Sequence, residues 1–284
     1  MRDYPPLKAL GISLFHSVAA FNNSGFDILG NFQSLSAYKE DVFLNLVTCL
    51  LIFFGGIGFL VIREIVVKRF RWRRFSMHTK VVLTMSVALT VGGAVIFRIT
   101  ENMPWIGALF NSVTARTAGF STYSLGEFSN AGLLAMIFLM FVGASPGSTG
   151  GGIKTSTLFA LIQGIKTAAT NTSGKAFHYS VPHGVFRKAS VIAVMGISVI
   201  AVGTFMLCAF EPDIAIRDAL FEMTSAFGTV GLTTGITTGL CTASKLLSIV
   251  IMYIGRLGPL TIATLWYFTN GDRIKYPDGN IAIG

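Results

Sequence analysis

Three short stretches of the chain share a plan that suits the binding of a dehydrated cation. Each begins with phenylalanine, passes through small residues and ends on glycine followed by Phe or Leu, as in FHSVAAFNNSGF at 15–26, FNSVTARTAGF at 110–120 and FEMTSAFGTVGL at 221–232. Glycine reaches backbone conformations that aim successive carbonyl oxygens at one axis, because it has no Cβ. A single strip surrounds nothing, so we expect Gly25, Gly119 and Gly231 to contribute to one ring of oxygen ligands.

Each strip follows a segment that favours a short helix. Residues 10–21, 104–115 and 214–226 are helix-compatible but too short to cross a bilayer, and the first ends at the turn-forming sequence Asn22-Asn23-Ser24-Gly25. A helix that enters halfway directs the negative end of its dipole at the strip, which favours a cation there. Any one of these glycines alone is better explained by a turn or by helix packing. Three in the same place favour the ion site.

The composition is that of a membrane protein. Of the 284 residues 52% are hydrophobic and 12% charged, with a mean hydropathy of +0.66, whereas soluble domains have about 25% charged residues. Segments 42–62, 81–97 and 189–210 contain no Asp, Glu, Lys or Arg, and each is near the roughly 20 residues that cross a bilayer. We expect a further span at about 246–269. The lipid bilayer is therefore the first predicted partner.

The net charge of +9 is concentrated in loops rather than spread over a surface for nucleic acid. Segment 63–80 holds seven basic residues against one acid, Glu64, and a second basic loop contains Lys166, Lys175, Arg187 and Lys188. Basic loops beside spans indicate the cytoplasmic side, and they also suit anionic lipid. We expect no nucleic-acid partner. Neither a metal-ligand spacing of His and Cys nor a catalytic constellation is recognisable, so we expect no enzyme.

A glycine-rich segment interrupts the charge-free run at 128–153. Residues 143–152, GASPGSTGGG, contain five glycines and a proline, which cannot sustain a helix. Non-helical backbone at membrane depth is tolerated where protein buries it or water lines it, so this break is expected to face a cavity. The ending Lys154-Thr155 is like that of a phosphate-binding loop, but Ile153 stands where that motif requires glycine.

The strips FHSVAAFNNSGFD, SVTARTAGFST and TSAFGTVGLTT, together with GASPGSTGGGIKTST, resemble the Trk/Ktr/HKT superfamily of potassium transporters along essentially the whole chain, and most of all its bacterial membrane subunits of the KtrB or TrkH/TrkG type. The resemblance implies an all-α polytopic membrane protein. In such a protein, tandem repeats of span, re-entrant pore helix, filter strip and span surround a central pore, as in voltage-gated channels. It implies uptake of potassium, with K+ held by filter carbonyls.

The same resemblance assigns residues to two roles. The ion filter comprises Asn23, Ser24, Gly25, Phe26, Thr117, Ala118, Gly119, Phe120, Thr229, Val230, Gly231 and Leu232. The gate comprises Gly143, Gly147, Gly150, Gly151, Gly152 and Lys154, together with Arg256, a charge within the last span that interacts with the glycine-rich loop. From its position before the second strip, we expect Arg116 to brace that strip by hydrogen bonds to carbonyls.

Three units follow from this assignment. They are an incomplete second repeat at 1–75, a third repeat at 76–175 with the gating loop 143–152, and a fourth repeat at 176–284 with the filter 227–233 and Arg256. The family's first repeat is expected to be absent, and an incomplete translation is favoured over a split subunit. The alternative is a truncated or degenerate remnant or scaffold without transport activity of its own.

The resemblance also implies partners and a location. They are a homodimer, a cytoplasmic nucleotide-binding regulatory subunit of the KtrA/TrkA type, and the inner (plasma) membrane of a bacterium. No cofactor is expected in the chain itself, and Na+ stays open as a coupling or activating ion.

Overall fold

A computed structural model describes residues 4–30, 33–172 and 174–261 of the chain. This part is built from helices, with one two-stranded antiparallel hairpin. The helices are α1 (Pro6–Phe21), α2 (Val42–Ile57), α3 (Phe59–Val67), α4 (Met77–Thr100), α5 (Trp105–Thr114), α6 (Asn130–Phe141), α7 (Thr155–Thr170), α8 (His183–Phe210), α9 (Ile216–Gly228) and α10 (Thr242–Leu257), and the hairpin pairs β1 (Lys175–Ala176) with β2 (Tyr179–Ser180). The predicted all-α class is confirmed.

Two helices, α4 and α8, are long and apolar enough to cross a membrane by themselves. They have 24 and 28 residues and contain the predicted spans 81–97 and 189–210. The α8 side chains Val194, Ile197 and Phe205 are 57–75% exposed. Large apolar side chains at that exposure are suited to lipid rather than to water.

The predicted span at 42–62 is apolar enough to cross a membrane, but it is broken into two helices. The chain bends by 98° between α2 and α3, because Gly58 between them has φ +88° and ψ 148°, a conformation that is essentially restricted to glycine. A Cβ on Gly58 would stand 2.5 Å from the carbonyl oxygen of Pro146. The break therefore lets α2 and α3 turn around the glycine-rich segment.

The last predicted span, 246–269, is also interrupted. Helix α10 ends at Leu257, and Gly258 has φ +88° and ψ 135°, close to the conformation of Gly58. Pro259, which cannot continue the hydrogen-bonding ladder of a helix, follows directly. The remainder of the predicted span, beyond residue 261, lies outside the described residues.

The three short helices α1, α5 and α9 end at the glycine strips, as predicted. Helix α5 packs against α4 and α2, and α9 packs against α8, α10 and α6, whereas α1 packs against α2. Aromatic side chains anchor α5 and α9, since Phe110, Phe221 and Phe227 are at most 1% exposed, whereas Phe15 and Phe21 of α1 are 39% and 40% exposed. Burial of a phenylalanine stabilises by about 1.5–3 kcal/mol, so these anchors fix the helix ends.

Two glutamates form the same capping arrangement at two places in the chain. The carboxylate of Glu101, just after α4, accepts hydrogen bonds from the backbone N–H (3.1 Å) and hydroxyl (2.6 Å) of Ser129 at the start of α6. Glu211, just after α8, accepts from the backbone N–H of Cys241 (2.6 Å) at the start of α10. A negative charge at a helix N-terminus is stabilising, and each cap ties a long apolar helix to the helix that follows the next strip.

Candidate functional site

The three glycine strips have the same backbone conformation. Gly25, Gly119 and Gly231 have φ of +69°, +84° and +91°. Two residues before each glycine, a second residue also has positive φ, namely Asn23 (51°), Thr117 (76°) and Thr229 (50°). Positive φ is rare for a β-branched residue such as threonine, and such strain persists where the surroundings impose it.

Backbone donors in the strips point back to the helices that precede them. The N–H groups of Ser24, Ala118 and Val230 donate to carbonyl oxygens in the last turn of α1, α5 and α9, at 3.1, 3.0 and 2.9 Å. These bonds satisfy orphan carbonyls at the helix C-termini, as in other left-handed C-caps. In each strip, one backbone N–H group is therefore directed at the preceding helix.

The strips meet at their glycines. A Cβ on Gly25 would stand 2.8 Å from the carbonyl oxygen of Ala118 and 3.1 Å from the Cα of Gly119. A Cβ on Gly119 would overlap the carbonyl oxygen of Val230, and one on Gly231 would stand 3.9 Å from the Cα of Gly119. Gly119 therefore lies between the other two glycines, and the carbonyls of Ala118 and Val230 point at the neighbouring strips.

An open cavity of about 900 Å³ lies on one side of this meeting point. All three glycines line it, with Asp27 and Lys245 as its charged groups. Hydroxyl groups supply much of the remaining wall: Ser34, Ser36, Ser121, Tyr123, Ser124, Thr233, Thr234, Thr237 and Thr238. We call this cavity the vestibule. It is large enough for a hydrated ion and rich in oxygen.

The glycine-rich segment 143–152 lies against the strips residue by residue. The amide nitrogen Nδ2 of Asn23 donates to the hydroxyl of Thr149 at 3.0 Å. A Cβ on Gly150 would overlap the hydroxyl of Thr117, and one on Gly151 would overlap the hydroxyl of Thr229. Three consecutive residues of the segment thus contact the three equivalent positive-φ residues in chain order.

The predicted loop at 143–152 is non-helical, and its two ends are joined. Val142 and Ile153 form an isolated parallel bridge, and Ile153 N–H donates to the carbonyl of Phe141 at 3.2 Å. Gly147 and Gly152 have φ of +72° and +66°, and a Cβ on Gly143 would overlap the carbonyl oxygen of Gly151. Gly143 and Gly152 therefore allow close approaches of backbone to backbone, whereas Gly147 is required by its positive φ.

Two basic side chains hold the loop. Lys154 Nζ donates to the carbonyl oxygen of Gly150 at 2.7 Å. The guanidinium of Arg256, on α10, donates to the carbonyl oxygen of the preceding residue, Thr149. The two side chains thus bind adjacent carbonyls of the segment that contacts the strips. Hydrogen bonds from charged donors contribute about 1.5–3 kcal/mol each, so both contacts stabilise the position of the loop.

A pair of glycines in each of α2 and α10 was not singled out from the sequence. A Cβ on Gly55 would overlap the carbonyl oxygen of Phe21 at the end of α1, and one on Gly255 would overlap that of Phe227 near the end of α9. In both helices a second glycine follows three residues later at the helix break, Gly58 or Gly258. The shared G-x-x-G spacing was the available signal.

Arg116 does not brace the second strip, contrary to expectation. Its guanidinium donates to the carbonyl (3.1 Å) and hydroxyl (3.2 Å) of Ser86 on α4. Arg116 is 7% exposed. It also contacts the hydroxyl of Thr90 on α4, at 3.5 Å. Among the predicted filter residues, Phe120 and Leu232 are buried, whereas Phe26 is 68% exposed.

These features define a class. Long apolar helices alternate with short re-entrant helices, and the latter bring glycine strips together between an oxygen-rich vestibule and a buried loop. That is the architecture of a pore-forming membrane protein with repeats of span, pore helix, strip and span. The model of the TrkH family, described as a cation transport protein, matches residues 3–92 and 74–273. The chain belongs to this family.

Relatives with assigned names agree with the family. The chain is 36% identical to the Ktr system potassium uptake protein B of Bacillus subtilis over 98% of its own length and 64% of the relative's. It is 36% identical to the potassium/sodium uptake protein NtpJ of Enterococcus hirae over 98% of its length and 65% of that protein's. The chain thus spans slightly less than two-thirds of the length of these relatives.

The fold has a solved counterpart. The potassium transporter TrkH from Vibrio parahaemolyticus superposes with a TM-score of 0.74, covering 90% of this chain and 58% of that one. The sequence identity is 18%, so the likeness concerns the fold. Together with the candidate spans α4 and α8, it makes this chain an integral membrane protein with a TrkH-like pore fold.

Proposed function

We propose that this protein is the ion-translocating membrane subunit of a Ktr/Trk-type potassium uptake system. The observation that carries the proposal is the meeting of Gly25, Gly119 and Gly231, which lie 94 and 112 residues apart in the chain (119 − 25 and 231 − 119). Nothing in local chain folding requires such distant glycines to meet with the same pattern of positive φ. The names of the Bacillus and Enterococcus relatives support potassium as the cargo.

In this proposal, a K+ ion leaves the vestibule and exchanges its water for carbonyl oxygens of the strips. The strip residues Ser24, Ala118 and Val230 have their N–H groups committed to the helices, which leaves carbonyl oxygens as the proposed ligands of the strips. The C-terminal ends of α1, α5 and α9 add partial negative charge near the ion. The ion is cargo, and carbonyl coordination replaces its hydration shell.

The glycine-rich loop is the proposed gate. Its residues Thr149, Gly150 and Gly151 press against the strips, and Lys154 and Arg256 hold the carbonyls of Gly150 and Thr149. A loop in this position blocks the path of an ion that leaves the strips on the side away from the vestibule. Release of the two cationic contacts would free the loop to move aside.

The assembly follows from the family. We propose a homodimer in the plasma membrane of a bacterium, with a nucleotide-binding regulatory subunit at the cytoplasmic face and Na+ as a coupling or activating ion. The two basic loops support a common cytoplasmic surface, since the rings of Trp72 and Phe177 pack edge to face at 6.3 Å and Lys80 lies 5.9 Å from the ring of Tyr179. Such a surface suits an acidic partner or anionic headgroups.

Growth of a bacterium that lacks its own potassium uptake tests the proposal. The protein, in the full length that its gene encodes, should restore growth at low K+, and Gly231→Asp should abolish the rescue at equal membrane abundance. A carboxylate at Gly231 would stand in the vestibule at a strained φ of +91°. Failure of the wild type to rescue growth would favour the scaffold alternative.

A further inference from the structure

A buried carboxylate lies behind the vestibule wall. Glu222, on the short helix α9, is 7% exposed. Its Oε1 accepts a hydrogen bond from the hydroxyl of Thr237 at 2.5 Å. Its Oε2 is buried and has no hydrogen-bond partner among the described residues. One carboxylate oxygen of Glu222 thus has a hydrogen-bond partner, and the other has none among the described residues.

The satisfied oxygen connects to the vestibule through two hydroxyl groups. Thr237 Oγ1 lies 2.7 Å from Thr233 Oγ1, which in turn accepts from the backbone N–H of Gly235 at 3.0 Å. Both threonines line the vestibule beside Gly231. An ionised carboxylate only accepts, so Thr237 donates to Glu222 and Thr233 in turn donates to Thr237. Because Thr233 also accepts from Gly235, one lone pair on each threonine oxygen remains for the vestibule side. The hydroxyl of Thr237 thus separates the carboxylate of Glu222 from the vestibule.

Glu222 forms no ion pair in the part of the chain that the structure describes, and the basic residue of the vestibule wall is Lys245. The ion pairs found in that part of the chain join Lys68 to Glu64 and Arg217 to Asp218. An ionised carboxylate that is buried without a cationic partner is costly. A cation bound at the adjacent vestibule wall would supply the missing positive charge.

The equivalent positions of the other two short helices carry neutral groups. Each helix has a buried polar residue directly after its first strip phenylalanine: His16 in α1, Asn111 in α5 and Glu222 in α9. His16 Nε2 lies 2.8 Å from the hydroxyl of Thr48 on α2, and Asn111 Nδ2 donates to the carbonyl of Gly107 within its own helix. Only the residue on α9 both carries a carboxyl group and reaches the segment after its own strip.

We propose that Glu222 is the counter-charge for a monovalent cation at the vestibule end of the strips, and that Thr233 and Thr237 transmit its effect to the ion. This rests on the proposed function and adds a residue that sets ion affinity without itself lining the cavity. The cation would be partly hydrated, with threonine oxygens replacing some of its water. Glu222 acts through Thr237 and is in this sense a positioning and electrostatic residue.

The substitution Glu222→Gln separates charge from hydrogen bonding, because the amide oxygen can still accept from Thr237. We expect it to raise the KM for K+ uptake roughly tenfold with the maximal rate changed less than about twofold, since the lost charge acts on binding across a partly buried path. Glu222→Asp keeps the charge and should retain a KM near that of the wild type. Asp213→Asn is the matched control, an exposed carboxylate next to α9, and should leave KM unchanged.

Thr237→Val tests the connecting hydroxyl. It should raise KM in the same direction, and the double variant with Glu222→Gln should be no worse than the more severe single variant, because both act on one path. An unchanged KM in Glu222→Gln would overturn the proposal. So would a lower maximal rate at unchanged KM.

A second readout keeps this inference separate from the proposed function. K+ that binds the folded protein raises the unfolding midpoint of the purified protein. We expect Glu222→Gln to need roughly tenfold more K+ than the wild type for the same rise, even in a preparation without measurable uptake. Absence of uptake by the wild type would contradict the proposed function alone. Equal K+ dependence in both proteins, or none in the wild type, would overturn the role of Glu222.

Discussion

The hydroxyl of Thr117 occupies the place that a Cβ on Gly150 would take. Thr117 belongs to the second strip, and Gly150 belongs to the loop beneath it. The same relationship joins Thr229 to Gly151, and a hydrogen bond joins Asn23 to Thr149. Loop and strips therefore pack as complementary surfaces, and any displacement of the loop must change the surroundings of all three positive-φ residues.

Gly150→Ala should destabilise the protein by about 1–3 kcal/mol, the cost of inserting a methyl group into a packed site. The added Cβ would overlap the Thr117 hydroxyl and stand 2.6 Å from the Cβ of Ala144. Thr117→Ala in the same chain should recover part of this cost, because it removes one of the two obstacles. Thermal unfolding of the four members of this double-mutant cycle in detergent measures the coupling.

Gly92→Ala on α4 is the control for that cycle. An added Cβ there meets no atom within 4 Å, so alanine should be neutral or stabilising by up to about 1 kcal/mol. Strictly additive effects of Gly150→Ala and Thr117→Ala would contradict the contact between loop and strip.

Alanine substitutions of the three strip glycines should rank in a defined order. Gly119→Ala should cost most, about 3 kcal/mol, because its Cβ would overlap the Val230 carbonyl in addition to the strain of positive φ. Gly25→Ala should be intermediate, with its Cβ at 2.8 Å from the Ala118 carbonyl, and Gly231→Ala should carry the strain alone, about 1–2 kcal/mol. Unfolding midpoints test the order, and a larger cost at Gly231 than at Gly119 would refute the packing described.

Loss of the Arg256 guanidinium should loosen the loop. In a chain whose Cys49, Cys208 and Cys241 are replaced by alanine, Ser148→Cys reports loop accessibility to a thiol reagent. Arg256→Gln removes the charged donor to Thr149, and we expect labelling to accelerate roughly tenfold. Arg187→Gln, an exposed change near the start of α8, should leave the rate unaltered. Equal rates for the two variants would mean that Arg256 does not hold the loop.

The cap formed by Glu211 should make stability depend on acid pH. Hydrogen bonds from Cys241, foremost its backbone N–H, and from the hydroxyl of Ser244 hold the pKa of Glu211 below its ordinary range. A carboxyl group whose folded-state pKa is depressed stabilises fully above its unfolded pKa of about 4.3 and loses that contribution as pH falls towards the folded value. The midpoint of the wild type should therefore exceed that of Glu211→Gln at pH 6, and the difference should narrow below about pH 4. If the difference between the two unfolding midpoints stays constant with pH, the cap formed by ionised Glu211 is not what stabilises the wild type.

The sequence predicted the features that depend on residue type alone. Glycine at the end of each strip indicated positive φ, the run at 143–152 indicated non-helical backbone, and the charge-free segments at 81–97 and 189–210 indicated spans. Each follows from intrinsic backbone preference or from hydropathy, which do not depend on the residues that pack against the segment in the folded protein. These features lie close to where the structure has them.

Features imposed by packing were missed. Gly58 breaks its span because the chain turns there around Pro146, and no property of 42–62 alone indicates that neighbour. Thr117 and Thr229 adopt positive φ against their own preference, because the helix caps and the loop require it. Arg116 donates to Ser86 because α4 packs beside α5. The roles assigned to the filter and gate residues, and the division into units at 1–75, 76–175 and 176–284, stay predictions.

The ratio of K+ to Na+ uptake per protein molecule in reconstituted vesicles tests the central claim most directly. If Gly25, Gly119 and Gly231 form one carbonyl-lined pathway, Gly119→Ser should lower this ratio several-fold relative to the wild type at equal protein amounts, because it displaces the Val230 carbonyl. Gly92→Ser, on the open side of α4, should leave the ratio unchanged. An unaltered ratio in Gly119→Ser, with only the amount of inserted protein reduced, would contradict the claim that these glycines contact the ion.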